Sequence, residues 1–184
     1  MEFDLKPTHL ENALVKLIPL QITDFELLYK VASDPLIWEQ HPNPDRYKRE
    51  VFENFYRGAV ESNSAFVIYD SKSLQPIGSS RFYDYDEEKS VIAIGYTFLA
   101  RNYWGSTYNQ SIKALMLNYA FQHVDAVIFH IGTDNIRSQK AITKLSAVKC
   151  DEIEMSYYGE PSKLNYIYKI MKPEWLSNPL SFEL

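Results

Sequence analysis

"IGYTFLARNYWGSTYNQ", residues 94–110, joins two kinds of periodicity. Upstream, the run from Val91 to Ala100 is rich in the β-branched and aromatic residues that fit a pleated strand. Downstream, Ile112, Leu115, Met116, Tyr119 and Ala120 recur at the spacing that places one apolar stripe on a helix. Between them, a chain with only six glycines sets Gly105, Ser106 and Thr107 side by side. A tight strand-to-helix turn leaves the first helical N–H groups unpaired, and with the helix dipole they form an anion site suited to phosphate. Small residues fit such a site because a large side chain would hold the ligand's oxygens away from the amides. A glycine in this position also serves as an ordinary turn, so the loop alone leaves both readings open.

Working outward, residues 14–20 alternate as a first strand. Thr23, with Glu26 three residues on, reads as the capping box of a helix that buries Phe25, Leu28, Tyr29 and Ala32 and closes at Asp34-Pro35. A second helix is expected from Asp45 to about Val60, burying Val51, Phe52, Phe55 and Tyr56. Strands follow at 64–70, 77–86 and 90–100, the last two joined by the charged turn Asp86-Glu87-Glu88-Lys89. Residues 125–133 form a nearly continuous apolar run, as in a strand covered on both faces. Asp134 or Asn135 caps a further helix through Leu145, and two strands follow near 149–158 and 163–171. The expected order is β-α-α-β-β-β-α-β-α-β-β: an α+β fold, with a mixed and mostly antiparallel sheet of about seven strands flanked by about four helices.

The chain has 184 residues, which fits one domain over 1–184, and shows no repeat or linker. Its fourteen tyrosines and ten phenylalanines are read as sheet and core packing. A net charge of −5 argues against nucleic acid as a partner, since phosphate backbones require a basic field. The lone Cys150 suits a reducing compartment, and neither a signal pattern nor a membrane-length apolar window is present, so a cytoplasmic location with no membrane partner is expected. No metal is assigned. The aromatic C-terminal segment 173–184 is expected either to cap the sheet or to meet a second subunit in a homodimer.

Residues 91–122 resemble the central motif of the GNAT superfamily, the acetyl-coenzyme-A-dependent N-acetyltransferases. The stretch quoted above is similar to the strand, pyrophosphate loop and helix start of the branch that includes the ribosomal-protein-alanine acetyltransferases. "NIRSQKAITKLSA", residues 135–147, resembles that branch's second motif, Asn-x-x-Ser followed by a helix ending in Lys-Leu-Gly. The order of elements agrees from about residue 14 to 171. The sequence departs from the family loop at Asn102 and Thr107, where Gln/Arg and Gly/Ala are usual, with Arg101 one residue early, and from the second motif at Ser146 in place of Gly.

The resemblance implies acetyl-CoA as co-substrate and an amine acceptor. It implies that the backbone of Thr97, Phe98 and Leu99, on a strand splayed from its neighbour, holds the pantetheine arm. Amides from Tyr103 through Trp104, Gly105, Ser106 and Thr107 to Tyr108 would take the pyrophosphate, with Arg101 and Lys140 nearby. Arg137 and Lys144 share the basic face of that second helix, which otherwise reads as solvated. Ser138 matches a residue suggested to protonate the leaving thiolate, while Ile142 stands where many members carry a tyrosine for that purpose. Asn135 would lie beside the pantetheine, though as a residue type it equally suits a helix cap. His130 is an interior base candidate, and equally a core histidine. Trp38, His41 and Tyr47 fall in the loop expected to line the acceptor cavity. Three readings stand at this point: an N-acetyltransferase acting on a protein N-terminus or small amine, a non-catalytic coenzyme-A-binding or protein-binding relative, and a generic α/β interaction domain.

Overall fold

The computed structural model describes residues 3–157 and 160–182. The strands, in chain order, are β1 (Leu10–Glu11), β2 (Val15–Pro19), β3 (Ala65–Asp70), β4 (Pro76–Asp86), β5 (Val91–Leu99), β6 (Ala126–Gly132), β7 (Val148–Ser156) and β8 (Ser162–Met171). They form one sheet in the order β1-β2-β3-β4-β5-β6-β8-β7. Every neighbouring pair is antiparallel except β5–β6. The helices are α1 (Phe25–Ala32), α2 (Arg49–Glu61), α3 (Tyr108–Ala120), α4 (Ile136–Thr143) and α5 (Lys172–Leu176). The expected order is therefore present, with the two-residue β1 and the short α5 added at its ends.

Two apolar cores lie on the two faces of the sheet, and β3 shows how one strand supplies both. Its alternate residues point to opposite sides. Phe66 and Ile68 join the core that holds α3, while Ala65 and Val67 join the core built by α1 and α2. Helix α3 is enclosed almost all round, so Lys113 and Ser111 are buried along with the expected Ile112, Leu115 and Met116. The C-terminal segment caps this side. Trp175 is fully buried, and its Nε1 donates to Asn118 Oδ1 at 2.7 Å.

Two helix starts differ from the expectation. Thr23 is not the cap of α1; Asp24 occupies that position in a turn-like conformation, and its carboxylate accepts from the backbone N–H of Gln21 at 2.8 Å instead of capping the helix. The second helix begins at Arg49 and not Asp45. Pro44–Tyr47 forms a separate 3₁₀ turn capped by Asn43, and extended Lys48 divides the two. Asn43 wins because its side-chain oxygen satisfies the Asp45 N–H one turn early.

The centre of the sheet is where the strands part. β5 and β6 pair only between Val91–Ala93 and Ala126–Ile128. Beyond those residues both strands continue without pairing each other, so the sheet opens toward the end of β5. On the other side of β5, the register with β4 shifts between Ser79 and Arg81, and Tyr96 takes φ +53°. One extra residue in β5 bends the strand away from β6, as a bulge does.

Candidate active site

A cleft fills the gap between β5 and β6. Its walls are Ile94–Leu99 of β5 and Phe129–Gly132 of β6, closed at one end by Tyr103–Gly105 and the first turns of α3, and at the side by α4. Trp38, His41, Arg46 and Tyr157 form the opposite rim.

The loop at the closed end of the cleft leaves backbone donors free. A 3₁₀ turn at Arg101–Tyr103 brings the chain round, and Gly105 at φ +68° lets it enter α3. A Cβ placed on Gly105 would meet nothing within 4 Å, so its backbone fronts open space. Thr107 precedes the helix with no side-chain cap, and among the described residues no hydrogen bond occupies the N–H groups of residues 105–110. Free donors at a helix N-terminus attract anions. The run of donors is shorter than the sequence suggested. The N–H groups of Tyr103 and Trp104 already donate to Ala100 O and Arg101 O, each at 3.0 Å, because the 3₁₀ turn uses them.

Several side chains of this loop face the protein. Ser106 Oγ donates to Tyr103 O at 2.6 Å, Tyr108 Oη to Asp70 Oδ1 at 2.7 Å, and Trp104 Nε1 to Leu99 O at 2.9 Å. Arg101 lies outside the cleft in an ion pair with Asp34. Lys140 is exposed and absent from the cleft wall, as is Lys144. Arg137 stands in the wall instead. Its guanidinium stacks 4.0 Å from the Trp104 ring, donates to Ile37 O at 2.9 Å, and has its pKa lowered by burial.

On β5, Phe98 turns its ring into the core against Trp38, so only its backbone belongs to the cleft. Thr97 Oγ1 lies 2.8 Å from Ser80 Oγ and accepts from Lys113 Nζ at 2.5 Å. Lys113 is 3% exposed, its amine has hydroxyl partners and no carboxylate among the described residues, and burial pushes its pKa down to about 7. Sequence reasoning misses it, because a lysine beside an apolar stripe ordinarily reaches solvent. The signal was α3's apolar content on its remaining faces.

His130 Nδ1 and Tyr83 Oη are 2.8 Å apart in the cleft wall. Burial lowers the His130 pKa and raises that of Tyr83 well above normal, so both are neutral near pH 7. At the start of α4, the Asn135 side chain accepts from the Ser138 N–H at 3.1 Å, which is a helix cap. The Ser138 hydroxyl lines the cleft with no hydrogen bond among the described residues, and Ile142 is buried in the same wall.

The far rim holds charges that the sequence did not connect. Arg46 donates to Glu160 through Nε at 2.7 Å and Nη2 at 2.9 Å, and its Nη1 sits 3.2 Å from His41 Nε2. Burial, and then the Arg46 charge, hold the His41 pKa well below its usual value. Trp38 lines the cleft and is fixed by Nε1 donating to Ala32 O at 2.7 Å. Tyr47 does not line it; its backbone carbonyl accepts from Tyr29 Oη of α1 at 3.2 Å. Thus Trp38, Asn135, Ser138, His130, Thr97 and Gly105 meet in one cleft, whereas Tyr47, Arg101 and Lys140 fall outside it.

The family described as "Acetyltransferase (GNAT) domain" matches residues 15–148. Among curated proteins, none matches the sequence significantly. Solved structures share the fold over most of the chain. A GCN5-related N-acetyltransferase from Brucella melitensis superposes with a TM-score of 0.75 at 19% identity, covering 93% of this chain and 80% of that one. A spermidine N-acetyltransferase from Vibrio cholerae, in complex with CoA and spermine, gives 0.65 at 15% identity, covering 90% and 100%. RimJ from Mycobacterium smegmatis, in complex with CoA-disulfide, gives 0.68 at 12% identity, covering 90% and 86%.

Proposed function

The chain belongs to the GNAT acetyltransferase family, whose members use acetyl-CoA as co-substrate, and from that premise we propose that it acetylates a primary amine by direct attack in a ternary complex. The observation that carries this reading is the set of unengaged N–H groups at 105–110, opening onto the gap between β5 and β6. The residues present fit the coenzyme. The helix N-terminus suits its diphosphate, Arg137, paired with Glu39 at 3.4 Å, brings a guanidinium to the facing wall, and the β5 edge turned toward the gap offers unpaired backbone to an amide-bearing arm. Acetyl-CoA supplies a thioester carbonyl, and the chain supplies position, which alone accounts for much of the rate in such transfers.

Two residues would handle protons and a third would position one of them. Ser138, its hydroxyl without a hydrogen bond among the described residues and its backbone held by Asn135, would donate toward the departing sulfur. His130, neutral and oriented by Tyr83, would accept the proton that the incoming amine releases. Asn135 acts through Ser138 and is a positioning residue. The acceptor would enter past Trp38, His41 and Tyr157. The spermidine enzyme and RimJ share this fold, so both a polyamine and a protein N-terminus belong in the acceptor panel.

The test is a melting curve with acetyl-CoA, followed by thiol release across amines that include spermidine and short peptides. Saturating acetyl-CoA raises the melting temperature by mass action, and at least one amine releases thiol. A curve unmoved at millimolar acetyl-CoA overturns the proposal. Ile142 at the position of the usual tyrosine favours a second reading, a coenzyme-binding protein without turnover. A melting shift with no thiol release from any amine would select it.

A further inference from the structure

We propose that Lys113 is a self-acetylation site: with acetyl-CoA in the cleft and no acceptor present, its amine takes the acetyl group. The inference rests on the acetyl-CoA reading above and adds a covalent modification to it. Lys113 is the one lysine in the cleft wall among the described residues. It lies on α3 six residues beyond Thr107, about 9 Å along the helix axis from the free donors of the Gly105 loop, beneath the bulge of β5. The loop, Thr97 and this amine border the same cleft, so a thioester carried into the gap shares that cleft with Lys113.

The surroundings keep the amine reactive. Nζ lies 2.5 Å from Thr97 Oγ1 and 3.4 Å from Ser80 Oγ, and the Phe129 ring centroid is 5.8 Å away. Two hydroxyl oxygens accept the two N–H bonds of a neutral amine, and neither contact uses its lone pair. An ammonium there would carry a third proton and a charge that no carboxylate offsets, a costly state in a buried site. A lysine freed of its proton by its surroundings is a nucleophile.

The step balances without another reactant. The Nζ lone pair attacks the thioester carbonyl carbon, the C–N bond forms and the C–S bond breaks. One amine proton passes to the departing sulfur, giving N-acetyl-lysine and free coenzyme A. The acetylated side chain then occupies the space in front of Thr97. An enzyme deprived of its acceptor would thereby block its own cleft.

The experiment incubates the full chain with acetyl-CoA and no amine, and maps acetylation by peptide mass spectrometry over time. Its melting shift with acetyl-CoA is measured in parallel. Lys113 should acquire the acetyl group roughly tenfold or more faster than exposed Lys72, as expected for an oriented reactant. Excess free coenzyme A should suppress this, and Lys113→Arg should remove the mark. An unmodified Lys113 in a protein that acetyl-CoA stabilises overturns this inference and leaves the acetyl-CoA reading standing. Modification slower than at Lys72, or indifferent to coenzyme A, also overturns it as ordinary surface chemistry. No melting shift and no modification overturns both.

Discussion

Arg46 and Glu160 are 114 residues apart in sequence and form a two-pronged ion pair over the far rim of the cleft, their side chains 1% and 6% exposed. It ties the turn before α2 to the segment between β7 and β8, and it fixes one edge of the cleft. His41 and Tyr157 pack against the same guanidinium.

Removing one partner leaves the other charge buried and alone. Glu160→Ala should therefore destabilise the fold by about 3 kcal/mol or more, read from denaturant unfolding, whereas removal of an exposed pair would cost far less. Replacing both residues with apolar ones of similar size should recover most of the loss. A Glu160→Ala variant as stable as the parent would show that the pair does not hold the rim.

Gly105 owes its place to its backbone conformation. At φ +68° an L-residue with a side chain is disfavoured by roughly 1–2 kcal/mol, and asparagine tolerates the conformation better than most. Gly105→Val should weaken acetyl-CoA binding strongly, seen as a lost melting shift, while Gly105→Asn keeps much of it. Equal affinity in both variants would place the diphosphate elsewhere.

Ser138→Ala removes a hydroxyl but leaves the Asn135 cap, which grips the backbone N–H. If Ser138 is the proton donor, kcat should fall by roughly a hundredfold or more with KM for acetyl-CoA little changed. A parallel loss of stability is not expected. An unchanged kcat would shift the role to water.

Lys113 also predicts a pH dependence. Its amine loses its proton at about pH 7 when folded and near 10.5 when unfolded, so between these values unfolding takes up a proton. Stability from this group then rises with pH, by up to about 1.4 kcal/mol per unit over that window. The neighbours are the Ser80 and Thr97 hydroxyls and the Phe129 ring, none of them charged. Lys113→Met should be the more stable form near pH 6.5, with its advantage shrinking steadily toward pH 10. A difference that stays flat with pH would mean that the amine keeps its proton in the fold.

The strands and helices were legible because their signals are local. A nearly continuous apolar run marked β6, a period of 3.6 marked α3, and Asp134 or Asn135 announced α4 by residue type. The strand-to-helix loop was visible as small residues between two periodic segments. The Arg46–Glu160 pair was not, since nothing local in either segment names a partner so far along the chain. Nor was the bulge at Tyr96, which depends on how β4 sits beside β5. Thr23 misled because a threonine before a glutamate fits the capping pattern, while the backbone turned one residue later. Ser146 reads in the sequence only as a departure from glycine. It adopts φ +67° there, the conformation glycine would supply, and its hydroxyl accepts from Asn178 Nδ2 at 2.9 Å.

Three ladder rungs between β5 and β6 are all that sew β1–β5 to β6–β8 within the sheet, and the remaining attachment comes from helices and side chains. A molecule lying in the gap would act as a thread drawn through both halves. Occupancy should therefore stiffen the protein as a whole, with slower amide exchange on β8, far from any atom that touches the ligand.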